Sequence, residues 1–236
     1  NNLLVKPFAV LLFISNLAFA QYWEGQKINE SSISPWVPTF EIEYEGTYHF
    51  GEGKSESDLN LFFCGDNLIG QVKSTYWEKN TGTRKFNFKN LKTIKIDKTG
   101  KITSDQHTGQ FVIYTDKNGK SHKSLKIDNP WSSSVDGREF EIGRRKKMTF
   151  ENSYPGKYKT ASFKKLEVSK IEKMSTKKLM LMKNEIYARY GYIFMEDAKM
   201  DKYFKKQAWY QAQHENVDEF LTKIEFYNIR LIDEIK

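Results

Sequence analysis

The residues most able to do chemistry in this chain are few and scattered. Ser104, Asp105 and His107 are close in sequence, but nothing in their spacing holds the histidine against the serine as a nucleophile–base pair requires, and an exposed loop accounts for them better. His49, His107, His122 and His214 are too dispersed for a zinc site. Asp116-Lys117-Asn118-Gly119 has the look of a calcium loop, yet the glycine comes at position four instead of six and Lys120 replaces a ligand, so a hairpin turn is the better reading. Cys64 is the single cysteine and sits in Leu61-Phe62-Phe63-Cys64, which predicts a buried thiol packed like a small hydrophobe. No spacing implies a catalytic set, a cofactor or a metal, and the chain reads as a non-enzyme.

A net charge of +8 is spread over both halves. Such a balance suits anionic partners such as an envelope polymer or peptidoglycan. Arg144-Arg145-Lys146-Lys147, following Arg138, is the one basic run. It could dock an anion, although edge lysines also serve to keep sheets from stacking. Nucleic acid is not expected, because no groove-reading motif is present.

The elements that must position these groups begin after an N-terminal leader. Lys6, an apolar run from Phe8 to Phe13 and the small-residue end Ala18-Phe19-Ala20 predict a signal peptide over residues 1–20, with the mature chain starting at Gln21 in a secreted or periplasmic setting. The run is too short for a retained span, which takes roughly twenty apolar residues.

Residues 21–155 read as an antiparallel β-rich domain of period-two runs. Strands are expected at Phe40–Glu45, Leu59–Phe63, Leu68–Tyr76, Arg84–Phe88, Thr93–Asp97, Gln110–Tyr114, Ser124–Ile127 and Lys147–Phe150. Asp97-Lys98-Thr99-Gly100-Lys101 and Asp116-Lys117-Asn118-Gly119-Lys120 place a glycine where a tight hairpin needs positive φ. The fold class is therefore α+β: an antiparallel meander, barrel or sandwich, then a small all-helical domain. Tyr44-Glu45-Gly46-Thr47-Tyr48 loosely resembles a lipocalin opening strand, which would permit a ligand-holding interior.

Tyr154-Pro155-Gly156 reads as a hinge into residues 160–236. Ser169-Lys170-Ile171-Glu172 has capping-box spacing, and Ser175 can cap a second helix whose Leu179, Met182, Ile186 and Tyr190 recur at helical spacing before Gly191. A third helix is expected over Asp197–Lys205. The last runs from about Val217, with a stripe of Phe220, Leu221, Ile224, Tyr227, Leu231 and Ile235.

Leu181-Met182-Lys183-Asn184-Glu185-Ile186-Tyr187-Ala188-Arg189-Tyr190-Gly191-Tyr192-Ile193-Phe194, with Trp209-Tyr210 and Ile224-Glu225-Phe226-Tyr227-Asn228-Ile229, resembles the signature of the YARHG domain over about residues 160–236. Tyr190 stands where that motif has its histidine. The resemblance implies an extracellular bacterial module and no established activity. Its motif residues, structural or binding, are Asn184, Glu185, Tyr187, Arg189, Gly191, Tyr192, Phe194, Trp209, Tyr210 and Asn228.

Read physically, Glu185 and Arg189 lie four apart and can pair, for about 0.3–0.5 kcal/mol if exposed. Asn228 falls inside the apolar stripe and needs a buried partner, for which Asn184, Arg189 or backbone near Gly191 are candidates. Trp209 and Tyr210 read first as a core anchor, or, if exposed, as a stacking platform for sugar rings. The leading function is an exported, non-catalytic envelope or extracellular binding protein. The alternatives are a small-molecule carrier using a lipocalin-like interior of about 300 Å³ or more, and an uncharacterised hydrolase with a perturbed carboxylate pair in a cleft.

Overall fold

The computed structural model describes residues 28–51, 56–130, 140–147 and 149–235. The expected signal peptide, the cut before Gln21 and Arg138 lie outside the described residues.

Among the described residues the β-rich half is one antiparallel sheet. Its strands are β1 (Ile33–Pro35), β2 (Gly46–Phe50), β3 (Ser57–Cys64), β4 (Asn67–Trp77), β5 (Arg84–Asn90), β6 (Lys95–Ile96), β7 (Lys101–Thr103), β8 (Thr108–Thr115), β9 (Ser121–Ile127) and β10 (Glu141–Arg145). Their spatial order is β5-β4-β3-β2-β10-β9-β8-β7-β6, and β1 pairs with β8. Two meanders, β2 to β5 and β6 to β9, are thus joined by β10 inserted between β2 and β9. The two alike turns behave as the sequence predicts. Asp97 Oδ1 accepts from the amides of Thr99 and Lys101, and Asp116 Oδ1 from those of Asn118 and Lys120. Gly100 and Gly119 sit at φ +79° and +77°.

The sheet is open, so the barrel expectation is corrected. β5 and β6 are its two ends, yet only residues 91–94 separate them, a reach of at most ~18 Å. The sheet therefore curls around its core without pairing its ends. The outer edge of β5 is covered instead by the helical half: the Phe86 amide donates to Gln213 Oε1 at 2.9 Å, and His214 Nε2 lies 3.0 Å from the Phe86 carbonyl. Covering an edge in this way blocks the unpaired strand from templating aggregation.

Alternation sends every second side chain inward. Tyr48, Phe50, Leu59, Leu61, Val72, Phe111, Leu125 and Ile127 form the core inside the curl, closed at one end by Trp36 and Tyr44. Tyr44 stacks on Phe111 with centroids 4.1 Å apart. A recess against this core, beside Leu59 and Ile102, measures about 10 Å³, at most the room for one water.

Three local expectations fail for identifiable reasons. Phe40–Glu45 is not a strand: Glu41–Tyr44 is a 3₁₀ turn, because Glu43 Oε1 takes the Phe40 amide and only Tyr44 of the apolar set is buried, leaving Phe40 and Ile42 exposed. The last strand lies at Glu141–Arg145, not Lys147–Phe150, where a 3₁₀ turn at Phe150–Ser153 lays Ser153 and Tyr154 against the sheet. The Tyr154-Pro155-Gly156 hinge is packed: Tyr154 is 6% exposed and Gly156, at φ +103°, lies against the Glu185 carboxylate.

The helical half comprises α1 (Val168–Ile171), α2 (Thr176–Arg189), α3 (Lys199–Phe204) and α4 (Lys223–Ile235). Because α1 already starts at Val168, Ser169 is inside it and the capping box does not form; Ser175 stands at the N-cap of α2 without a side-chain bond. Leu179, Met182 and Ile186 of α2 pack on Ile229 and Ile232 of α4. The buried stripe of α4 is Ile224, Glu225, Asn228, Ile229 and Ile232, one step off the predicted one, and Tyr227 is exposed. The helices sit on the second face of the sheet, where Phe62, Cys64 and Ile69 meet Tyr154, Phe163 and Ile224.

Candidate functional site

The motif helix α2 ends in a buried polar lock. Burial at both positions makes this pair unlike an exposed one, since the side chains of Arg189 and Glu185 are only 4% and 2% exposed. Arg189 is a three-pronged donor: Nη2 to Glu185 Oε1, Nε to the Pro155 carbonyl at 2.8 Å, and Nη1 to Ser162 Oγ at 2.9 Å. The Glu185 carboxylate also accepts from the amides of Lys157 and Tyr158, at 3.0 and 2.6 Å. The incoming chain at 155–158 is thereby clamped to the helix, and a charge-assisted network in which each guanidinium nitrogen finds an acceptor is what a buried ion pair requires.

One residue on, Tyr190 reaches in the other direction. Its hydroxyl donates to Glu225 Oε2 at 2.6 Å and accepts from Gln71 Nε2 of β4 at 3.1 Å. Glu225 Oε2 accepts further from the Thr222 amide and hydroxyl. Burial pushes the Glu225 carboxyl above its ordinary 4.5; the bonds from Ser162, Tyr190 and Thr222 and the Arg189 charge oppose this without cancelling it. Burial likewise raises the Tyr190 hydroxyl, with Glu225 and Tyr154 adding to the shift. Gln71 continues the link by donating to the Phe220 carbonyl at 2.7 Å.

Asn228 finds other partners than those expected. Its amide donates to the carbonyls of Ala161 and Lys164, and Oδ1 takes the Leu166 amide, so it pins the 161–166 segment to α4. Asn184 is on the outer side of α2, where its amide donates to the Met180 carbonyl. Phe194 stacks on Phe204 and Tyr210 donates to the Tyr192 carbonyl. Tyr187 tilts against Tyr192. Trp209 and Tyr210 are half-buried on this aromatic cluster.

Alternation along the second face of the sheet grades from apolar Phe62 to polar Asn60 and Gln71, then to Asp58 and Lys73. Over the charged end, the helices leave a cleft of about 240 Å³. Its floor is Asp58, Asn60, Gln71 and Lys73 with Phe86 and Phe88; Ser153, Tyr154 and Lys146 form a wall; the motif turn Ala188 to Gly191, with Trp209 and Gln211, forms the roof. Asp58 is fully engaged, Oδ1 with His49 Nδ1 at 2.8 Å and Oδ2 with Lys146 Nζ at 2.7 Å. Burial raises this carboxyl, but the bonds from His49 and Lys146 outweigh burial and hold it below its ordinary range.

The cleft thus gathers Arg189, Gly191, Trp209 and, of the basic run, Lys146, and it leaves out Asn184, Tyr187 and Asn228. Arg145 is directed away from it and donates to the Glu45 carbonyl. The sequence reading missed Gln71, Lys73 and Glu225. Glu225 was findable, since a helix phased on Ile224, Asn228 and Ile232 places it on the buried side; Lys73 and Gln71 became legible only when β4 was set against the helices.

Among the described residues the cleft has one carboxylate in its lining, Asp58, and that carboxylate is already salt-bridged. Ser153 Oγ contacts Thr47 Oγ1 at 3.0 Å, and His49 Nε2 lies 3.8 Å from Glu56. Among the described residues no group of three or more metal-ligating side chains comes together. No described helix is long and apolar enough to cross a membrane.

A two-layer α+β architecture carrying a short helical module with a Tyr-Ala-Arg-Tyr-Gly turn is the class these features define. Residues 157–236 match the family model of the YARHG domain. No curated protein and no solved structure matches the chain.

Proposed function

We propose that this protein is an exported, non-catalytic binding protein of the cell envelope or extracellular space, retained on an anionic envelope polymer such as peptidoglycan. One observation carries the reading: the YARHG turn and Trp209 roof a cleft whose floor and wall carry Lys73 and Lys146 against one carboxylate among the described residues, Asp58. The excess of basic over acidic residues in the whole chain, 38 against 30, supports the same sign of partner. A half-buried Trp209 in the roof supports sugar contact, because an indole face covers apolar ring hydrogens.

Retention on purified, insoluble peptidoglycan at about 0.15 M salt, where surface charge is largely screened, tests this. Co-sedimentation of the mature chain is expected. Complete recovery in the supernatant would overturn the reading.

A further inference from the structure

The cleft contains an unspent cation. In strand register Lys73 stands directly opposite Asp58, and an ion pair between them would be the default. Asp58 is taken, however, by His49 and Lys146 on its two oxygens. Arg189, the third cation among the described lining residues, is consumed by Glu185, Pro155 and Ser162. The Lys73 ammonium makes no ion pair or hydrogen bond among the described residues and instead rests 4.1 Å above the Phe86 ring, with Phe88 at 5.8 Å.

A half-buried ammonium held only by ring faces has lost water without gaining an anion. Burial accordingly pulls its pKa below the usual lysine value, with Asp58 opposing the shift. An incoming carboxylate would give the ammonium a charge-assisted hydrogen bond in a site where water is largely excluded. The room is about 240 Å³, roughly eight waters at ~30 Å³ each, which suits one sugar ring or the end of a short peptide. Phe86 and Trp209 flank the space and can cover an apolar surface.

We propose that this cleft is a binding site for a carboxylate-bearing ligand of sugar or dipeptide size, with Lys73 as the residue that holds the carboxylate. The proposal rests on the envelope-polymer reading and deepens it, since peptidoglycan carries carboxylates at the ends of its stem peptides and, where a stem peptide has been removed, on the lactyl group of its muramic acid.

Calorimetric titration of the mature chain with three soluble probes separates these sources. N-acetylmuramic acid carries the lactyl carboxylate, N-acetylglucosamine has the same ring without it, and N-acetyl-D-alanyl-D-alanine has the peptide carboxylate alone. At least one carboxylate probe is expected to bind at least tenfold more tightly than N-acetylglucosamine. Lys73→Met, which keeps an unbranched stem over Phe86, is expected to weaken that binding at least tenfold with an unchanged melting temperature, while Lys73→Arg stays within about threefold. Binding of neither carboxylate, or equal binding by Lys73→Met, would overturn the site. If Lys73→Met failed to fold, a tenfold preference for carboxylate over N-acetylglucosamine that Lys73→Arg preserves would still support it, and its absence would sink it. Co-sedimentation keeps the two ideas apart: a chain that binds the probe but not peptidoglycan retains the site and loses the envelope reading, and a Lys73→Met chain that sediments like the parent does the reverse.

Discussion

Tyr190 Oη lies 2.6 Å from Glu225 Oε2, and both residues are buried. This bond sits at the position where the YARHG motif carries histidine. The phenol spans from the end of α2 to α4, and the Gln71 amide on the same hydroxyl extends the contact into the sheet. The substituted residue is therefore part of the seam between the helices and the strands.

Replacing Tyr190 with Phe keeps the edge-to-face packing on Phe88 at 4.7 Å and deletes only the hydroxyl. Glu225 loses a donor and Gln71 a partner inside the protein, at a cost of about 1–3 kcal/mol. Urea unfolding should show a lower midpoint with an unchanged slope. A midpoint equal to that of the parent would mean the bond contributes nothing.

Arg189→Ala should be more severe, about 3–5 kcal/mol, because it strands the buried Glu185 carboxylate and frees the 155–158 segment. Arg189→Lys should recover little of this, since one ammonium cannot reproduce a planar fork aimed at three acceptors. Thermal melts of the full chain check both, and an unchanged melting temperature for Arg189→Ala would contradict a structural role.

The pH dependence follows from Glu225. Its folded pKa is raised by burial above the ordinary 4.5, so above pH 4.5 the unfolded chain releases this proton first while the native chain holds it. Stability from this group is full below pH 4.5 and falls as pH rises through the folded value. Asp58 has the opposite sign: its folded pKa is lowered, so its contribution is present above its ordinary 3.8 and lost as acid protonates it in the fold. Glu225→Gln should gain stability relative to the parent as pH is raised from 5 to 8 in urea titrations. Parallel pH profiles for the two proteins would refute the assignment.

Gly156→Ala probes the clamp from the other side. At φ +103° an added Cβ would stand 2.5 Å from the Glu185 carboxyl carbon. Backbone strain alone is worth about 1–3 kcal/mol, and displacing Glu185 adds to it. A loss of at least 1 kcal/mol by denaturant unfolding is expected, and stabilisation would show that this turn relaxes freely.

Short-range signals were legible in advance where one local force decides. The Asp-x-x-Gly turns formed because the aspartate bonds its own backbone within five residues. The paired Glu185 and Arg189 follow from helical spacing. The 40–45 segment was misread because alternation predicts a strand only if a partner strand lies beside it, and here a local carboxylate bond closes a turn first.

By itself the sequence determined the antiparallel strands, the helical C-terminal module, its YARHG signature and the burial of Cys64, since each depends on periodicity or on groups near in the chain. The tertiary structure alone decided that the sheet stays open, that Tyr154 and Gly156 are packed instead of hinged, and that Lys73 lies under Trp209 and the motif turn in one cleft. Those outcomes depend on which sheet face the helices cover, and residues more than a hundred positions apart, such as Gln71 and Tyr190, meet only when burial of both apolar faces fixes that docking.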